Sequence, residues 1–176
     1  MKTQPEAYLP DLAMSLGNLG ARLGEAGRGQ EAVEPVKESV SLYRRLVKAQ
    51  PEAYLPDLAM SLSNLGARRM QVGRVQEAVV PLKESMSLYR RVIKLSPELH
   101  RHDLAYTLVV FARAAGQLGQ GYRGAALAAV TEAIGLFEPL AAELPALYGQ
   151  RLREAQSVHS NLVTMPGVPS IDDGPA

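Results

Sequence analysis

Hydrophobic residues recur along the first part of the chain at the spacing of amphipathic helices. From residue 9 onward, leucines are separated by three, four, three and four positions, which places them on one helix face. They are Leu9, Leu12, Leu16, Leu19 and Leu23. A second stripe with similar spacing follows at Ala32, Val36, Val40, Tyr43 and Val47. Between the stripes, Gly27-Arg28-Gly29 suits a tight turn, because glycine tolerates a left-handed backbone. The pattern predicts two antiparallel helices, neither of which buries its apolar face alone.

The two stripes belong to a sequence repeat with a period of 46 residues. The string PEAYLPDLAMSL occupies 5–16 and again 51–62, and segments 5–50 and 51–96 are identical at 33 of 46 positions. A third, diverged copy covers 97–144, with two additional residues that we place in the turn Gly119-Gln120-Gly121. A fourth start at Pro145 opens a more polar segment, 145–163, which we interpret as a capping helix.

The two ends of the sequence have different characters. Lys2-Thr3-Gln4 stands before Pro5 much as residues 48–50 stand before Pro51, so we expect residues 1–4 to be the remnant of a preceding repeat. The alternative is a natural start within a gene derived from repeats. In either case the first helix should expose a leucine-rich face, which is a candidate surface for self-association. Residues 164–176 have closely spaced Pro and Gly, and we expect a disordered tail.

Several residues of the repeat resemble a known family. Asn18-Leu19-Gly20, Gly27, Ala32 and Ser39 stand at the spacing of the tetratricopeptide consensus, and the string NLGARLGEAGRGQEAVEPVKESVSLYRRLV resembles the long-period variant of kinesin light chain. The resemblance covers 5–144 well and 145–163 loosely. It implies an all-α fold: a right-handed superhelix, or alpha solenoid, of antiparallel helix pairs with about seven helices.

The resemblance also implies a concave, peptide-binding groove lined by the first helix of each pair. The family's inward positions correspond here to Met14, Asn18, Ala21, Met60, Ser63, Asn64, Ala67, Met70, Tyr106, Val109, Val110 and Arg113. In the family, an Asn at the positions of Asn18 and Asn64 holds the backbone of the bound peptide, since an amide both donates and accepts hydrogen bonds. The alternative is a solvated Asn that only favours local packing. The Lys and Asn of the family's carboxylate clamp are absent at Gly17, Ala21, Tyr106 and Val110, which disfavours a partner with a free C-terminal carboxylate.

Composition and charge narrow the classes of partner. The 19 basic and 18 acidic residues give a net charge of +1, without the basic excess that is typical of nucleic-acid binding. The chain has no Cys, which excludes disulfides and thiolate metal sites. We expect no membrane-spanning stretch and no secretion signal, and therefore a cytoplasmic protein without a nucleic-acid or membrane partner.

The sequence has few candidate metal-binding, phosphate-binding or catalytic residues. His100, His102 and Asp103 invite a metal-site interpretation, but helical residues two positions apart point in different directions, so we expect a solvated helix start and no cofactor. Arg44-Arg45 and Arg90-Arg91 are expected on a solvated outer face. Ser, His and Asp occur without a nucleophile-elbow or phosphate-loop pattern, so we do not expect an enzyme.

Two classes of function agree with these observations. The first is a scaffold for protein–protein interaction that binds a peptide or a partner's helix in the groove. The alternative is the regulatory or sensor array of a larger signalling ATPase of the STAND or NB-ARC type, with contacts mainly within its own assembly. Both use the same groove, so the sequence leaves both open.

Overall fold

The computed structural model describes residues 5–96 and 99–165, and within these ranges every regular element is helical. A short 3-10 turn, Pro5–Tyr8, leads into seven helices. These are α1 (Leu9–Glu25), α2 (Gly29–Ala49), α3 (Pro51–Gln71), α4 (Val75–Leu95), α5 (Arg101–Gln117), α6 (Gln120–Glu143) and α7 (Pro145–Thr164). The expected repeat remnant at residues 1–4 and the expected tail beyond Met165 lie outside the described residues.

Each helix packs mainly against its neighbours in the chain, which is the order of a solenoid. The pairs α1–α2, α3–α4 and α5–α6 form three units, and α7 packs on the last of them. The turns inside the units contain Gly27, Gly73 and Gly119 with φ of 75°, 77° and 90°, a region that side-chain-bearing residues rarely adopt. The predicted all-α solenoid of helix pairs is confirmed.

The two additional residues of the third unit lie in a helix, not in the turn where we expected them. Gly119 stands 46 positions after Gly73, and Gln120 is already helical. Helix α6 has 24 residues, whereas α2 and α4 have 21 each. The extension lies before Ala126, which is fully buried as Ala78 is in α4. Lengthening the free end of a helix leaves the packing beyond it unchanged, so the insertion is accommodated there.

Within each unit, the two helices approach closely through small residues. A Cβ added at Gly66 of α3 would stand 2.4 Å from Cγ of Leu82 on α4, so a larger residue there would require the Leu82 side chain or the helices to shift. The buried hydroxyl of Ser85 donates to the carbonyl oxygen of Ala59 at 2.7 Å. Ser39 donates to Ala13 over the same distance in the first unit. Two of the three units therefore share one buried polar contact.

The junctions between units repeat an aromatic contact. A ring on the second helix of one unit packs against a ring at the start of the next first helix, with centroids 6.1–6.5 Å apart. The pairs are Tyr43 with Tyr54 at 6.5 Å, Tyr89 with His100 at 6.1 Å, and Phe137 with Tyr148 at 6.5 Å. The structure therefore joins α7 to the third unit in the same way as it joins the units to one another.

The second helices of neighbouring units are joined by a repeated ion pair. Arg44 on α2 binds Glu84 on α4, and Arg90 on α4 binds Glu132 on α6, with nitrogen–oxygen distances of 2.6 Å in both. All four side chains are partly exposed, so each pair contributes little to stability. Their recurrence shows that the units stack in one register.

The first helix differs from its repeats in how deeply its leucines are buried. Leu12 and Leu19 are 45% and 48% exposed, whereas Leu58 and Leu65, which occupy the same positions in α3, are 4% and 5% exposed. Helix α2 covers that face of α3, and no described helix covers it on α1. The expected leucine-rich surface on the first helix is therefore present.

Helix α6 differs from the sequence-based expectation about membrane segments. By length and composition alone it could cross a membrane, with a mean hydropathy of 1.4 over its most apolar window. A core helix passes the same test, so the evidence is weak. In this fold α6 packs between α5 and α7, buries Val130 and Phe137, and carries Glu132 in the ion pair with Arg90.

Leu62→Ala and Leu16→Ala form a matched pair of substitutions, because both lie in the string PEAYLPDLAMSL. Leu62 is 1% exposed and Leu16 is half-buried. We expect Leu62→Ala to lower the free energy of unfolding by about 2–5 kcal/mol, and Leu16→Ala to lower it by less than about 2 kcal/mol. Urea denaturation followed by circular dichroism measures both. Equal losses would show that the two positions are equally buried, contrary to this structure.

Candidate functional site

The first helices of the units lie on the inner side of the solenoid. Backbone contacts join α1 to α3, α3 to α5 and α5 to α7. Over the described ranges, no such contact joins α2 to α4 or α4 to α6. The first helices therefore converge while the second helices spread apart, and the face that the first helices share is concave.

A cavity of about 390 Å³ lies at the C-terminal end of this concave face, and we call it the C-terminal cavity. Side chains of α3, α5 and α7 form its walls, and aromatic rings of α4 and α6 contribute to its lining. The residues that line it are Met60, Ser63, Asn64, Tyr89, His102, Asp103, Tyr106, Thr107, Phe137, Leu147, Tyr148 and Arg151. It combines a largely apolar surface with a few polar groups, as peptide and ligand sites do.

A second cavity of about 440 Å³, the N-terminal cavity, lies beside it between α1, α3 and α5. Its lining is more polar and includes two guanidinium groups. The residues that line it are Gly24, Glu25, Ala67, Arg68, Met70, Gln71, Tyr106, Val110 and Arg113. Tyr106 lines both cavities, so they are adjacent parts of one groove. Arg151 of α7 stacks on the Tyr106 ring at 5.5 Å from its centroid, which braces the shared wall.

The start of α5 is held by a hydrogen-bonded cluster. The Asp103 carboxylate lies 2.9 Å from Nδ1 of His100 and 3.3 Å from Nε2 of His102. The Thr107 hydroxyl donates to the Asp103 carbonyl oxygen at 2.8 Å and lies 2.9 Å from Oγ of Ser63 on α3. All these side chains are buried or half-buried, so the expectation of a solvated helix start is wrong. The reason is that α5 begins inside a unit junction, where Tyr89 and Tyr148 pack against the two imidazoles.

Among the described residues, no group of three or more His, Cys, Asp or Glu side chains could hold a metal ion. His100 and His102 each direct a ring nitrogen to the Asp103 carboxylate. The carboxylate thus binds both imidazoles, and the cluster orders the helix start.

Burial perturbs the acidic groups at the unit junctions. It raises the pKa of the half-buried Asp57 carboxyl, against the opposing charge of His100. Burial also raises the pKa of Tyr43 to about 12, with smaller contributions from Asp57 and Tyr54. The pKa of Tyr89 is raised further above its usual value, mainly by burial and then by the charges of Asp103 and Asp57. Both hydroxyls stay protonated near neutral pH.

The structure brings most of the predicted site residues together. Four line the C-terminal cavity: Met60, Ser63, Asn64 and Tyr106. Ala67, Met70, Val110 and Arg113 line the N-terminal cavity with Tyr106. Met14, Asn18 and Ala21 lie on α1 outside both cavities, where Met14 and Asn18 are exposed and Ala21 is partly exposed. Val109 is only 6% exposed and belongs to the core, because α5 is covered on nearly every side.

Sequence reasoning missed the contributions of α7 and of the second helices. Leu147, Tyr148 and Arg151 complete the C-terminal cavity, and Tyr89 and Phe137 line it between the walls. A signal for α7 was present, because Arg151 stands 48 positions after Asp103, one unit further in the register of the third repeat. No repeat position distinguishes the second-helix rings as groove residues, because the same rings also form the junctions.

Comparison with known families identifies two segments. Residues 12–52 and 58–97 match the model of the tetratricopeptide repeat. The matches cover most of the first two units, including Asn64, Ala67 and Met70 of the groove. No curated protein matches the chain.

Asp57→Asn tests the effect of burial on the Asp57 carboxyl. Because the pKa is raised in the folded state, the ionised carboxylate costs stability above that pKa, and the cost disappears as the pH falls through it. Asp57→Asn should therefore raise the melting temperature at about pH 7, with a smaller gain at about pH 4. Asp11→Asn, at the same position of the identical string but exposed, should change little at either pH. A lower melting temperature for Asp57→Asn at neutral pH would contradict this account.

Proposed function

Because this chain is a tetratricopeptide repeat protein, we propose that it is a scaffold that binds a peptide segment or a helix of a partner protein along its concave face. Tetratricopeptide repeats generally mediate protein–protein interaction, and their all-helical scaffold is typically not enzymatic. The observation that carries the proposal is the pair of adjacent cavities on the first helices, which share Tyr106. Together they form a groove on the inner surface of the solenoid, where an elongated ligand contacts several units at once.

The lining of the groove supports binding of a peptide with mixed apolar and polar side chains. Met60 and Met70 give flexible, polarizable contact surface, one in each cavity, which suits adaptable recognition of apolar side chains. Tyr106 adds a rigid aromatic wall between them. These groups supply buried apolar area without requiring one exact ligand shape.

Polar groups in the same groove can orient the backbone of the ligand. Asn64 is half-buried in the C-terminal cavity, and no described residue is a hydrogen-bond partner of its side chain. Its amide can donate and accept at the same time, which matches the peptide bond of an extended ligand. Arg68 and Arg113 in the N-terminal cavity offer donors for carbonyl or carboxylate oxygens. Arg68 already donates to Gln71 at 2.9 Å, which fixes its position.

Asn64→Ala tests whether the groove holds the ligand backbone. Peptides selected from a random display library on the folded chain provide the ligand. For the tightest of them we expect Asn64→Ala to weaken binding by about 1–3 kcal/mol, since the mutation leaves ligand polar groups unpaired. Isothermal titration calorimetry measures the loss.

Two control variants accompany Asn64→Ala. Asn18→Ala changes the same repeat position on α1, outside both cavities, and should change affinity by less than about 0.5 kcal/mol. Arg44→Ala removes an ion pair of the second helices and should also have an effect below about 0.5 kcal/mol. If Arg44→Ala weakens binding and Asn64→Ala does not, the ligand lies on the outer face and the groove proposal fails.

A further inference from the structure

The N-terminal face is the exposed side of α1 and of the turn before it, formed by Tyr8, Leu12 and Leu19. Its sequence is repeated in α3, because residues 5–16 and 51–62 are identical. On α3 this surface is covered by α2, whose Leu42 and Leu46 belong to the same buried cluster as the leucines of α3. The same amino acids therefore form a buried interface at one place in the molecule and an open surface at another.

Tyr8 is the aromatic residue of this face, and it is 63% exposed. Its counterpart Tyr54 packs against Tyr43 of α2, with the ring centroids 6.5 Å apart. The two later junctions have equivalent ring pairs. Tyr8 is thus the junction aromatic of the first unit, placed where a ring from another helix would meet it.

Within the described ranges, a charged residue at the edge of the N-terminal face, Glu38, also lacks the partner that its repeat equivalents have. Glu38 on α2 stands at the repeat position of Glu84 and Glu132, which bind Arg44 and Arg90 of the unit before them. Across the part of the chain that the structure describes, Glu38 has no ion-pair partner. An arginine donor is the group that completes this position in both internal junctions.

We propose that the N-terminal face binds an amphipathic helix of the α2 type. Such a helix has an apolar stripe of Val and Leu and an aromatic residue followed directly by Arg, as in Tyr43-Arg44. The apolar stripe covers Leu12 and Leu19, the aromatic ring packs on Tyr8, and the arginine binds Glu38. The partner's chemistry is given by α2, which already covers the identical surface of α3.

A second copy of this chain fits the face less well than a separate helix. Helices α2 and α4 of another copy are engaged with α3 and α5. Helix α6 is engaged with α7 and carries Glu138 at the position of Arg44 and Arg90, which would place a carboxylate beside Glu38. The chemistry therefore favours a helix that is not already packed within an array.

The probe for this site is a synthetic peptide with the sequence of residues 29–49, labelled with a fluorophore. Its binding to the full chain is measured by fluorescence anisotropy, and its helix content by circular dichroism. We expect saturable binding with a gain in helicity, because an isolated helix of this length is marginal in water and is stabilised by packing. No saturable binding up to about 1 mM peptide would overturn the proposal.

The apolar part of the site is tested by the double variant Leu12→Ser/Leu19→Ser. Both side chains are about half exposed, so the fold should persist, which circular dichroism checks. We expect affinity for the peptide to fall about tenfold or more. The control is Leu95→Ser, a leucine 70% exposed at the end of α4, which should leave the affinity unchanged. Binding that resists the double variant but is lost with Asn64→Ala would place the peptide in the groove and overturn the proposal.

The charged part of the site allows a test by charge reversal. Glu38→Arg in the chain should lower its affinity for the peptide about threefold. A peptide with Arg44→Glu should restore the affinity of that variant. A lack of restoration would show that the peptide binds in another register.

Sedimentation velocity of the chain alone tests the remaining possible occupant, which is a second copy of the chain. A dimer that Leu12→Ser/Leu19→Ser abolishes would show that the face pairs with a second copy, against the proposal.

Discussion

Burial of the apolar face of α3, and likewise of α5, against the second helix before it is the interaction on which the rest of the structure depends. An amphipathic helix of this length has little stability alone, and one helix pair leaves a leucine face uncovered. In α3, that face includes Leu58, Leu62 and Leu65, all nearly fully buried by α2 and α4. The repeated ring pairs and Arg–Glu pairs align the units, but the apolar face provides most of the free energy of stacking.

The same junctions build the candidate binding site. Tyr89 and Phe137 pack against His100 and Tyr148 to join the units, and both rings also line the C-terminal cavity. The cavity wall is fixed further by the contact of Arg151 with Tyr106 and by the Thr107–Ser63 contact between α5 and α3. A groove built on packed helices is largely preformed, so a ligand meets side chains that are already in place.

The repeat made the fold predictable, because identical strings at a spacing of 46 residues must form equivalent helices. The resemblance to the tetratricopeptide family implied most of the residues that line the two cavities, from Met60 to Arg113. The repeat could not predict how deeply each side chain is buried, because burial depends on the neighbouring unit. Leu16 and Leu62 have the same local sequence but different exposure, and Val109 is an inward position of the family that here is enclosed by the core.

Two other features of the structure also differ from what the local sequence pattern predicted. The sequence Gly119-Gln120-Gly121 is typical of a turn, so we expected the two additional residues of the third unit there. The structure places them at the start of α6 instead. The His100–Asp103–His102 cluster was expected in solvent, and it lies half-buried because a junction forms around it. Sequence patterns therefore predicted each helix well, whereas the contacts between units required the structure.

The central claim is that the concave face of the first helices holds a partner polypeptide. The six methionines of the chain test it most directly, because they report on different surfaces. Met60 and Met70 line the two cavities, Met86 is buried in the core, and Met14 lies exposed on α1. With methyl-labelled methionine, titration of a selected peptide should shift the Met60 and Met70 resonances together and leave those of Met14 and Met86 in place. Shifts confined to Met14, or a saturating peptide that moves neither Met60 nor Met70, would contradict the account.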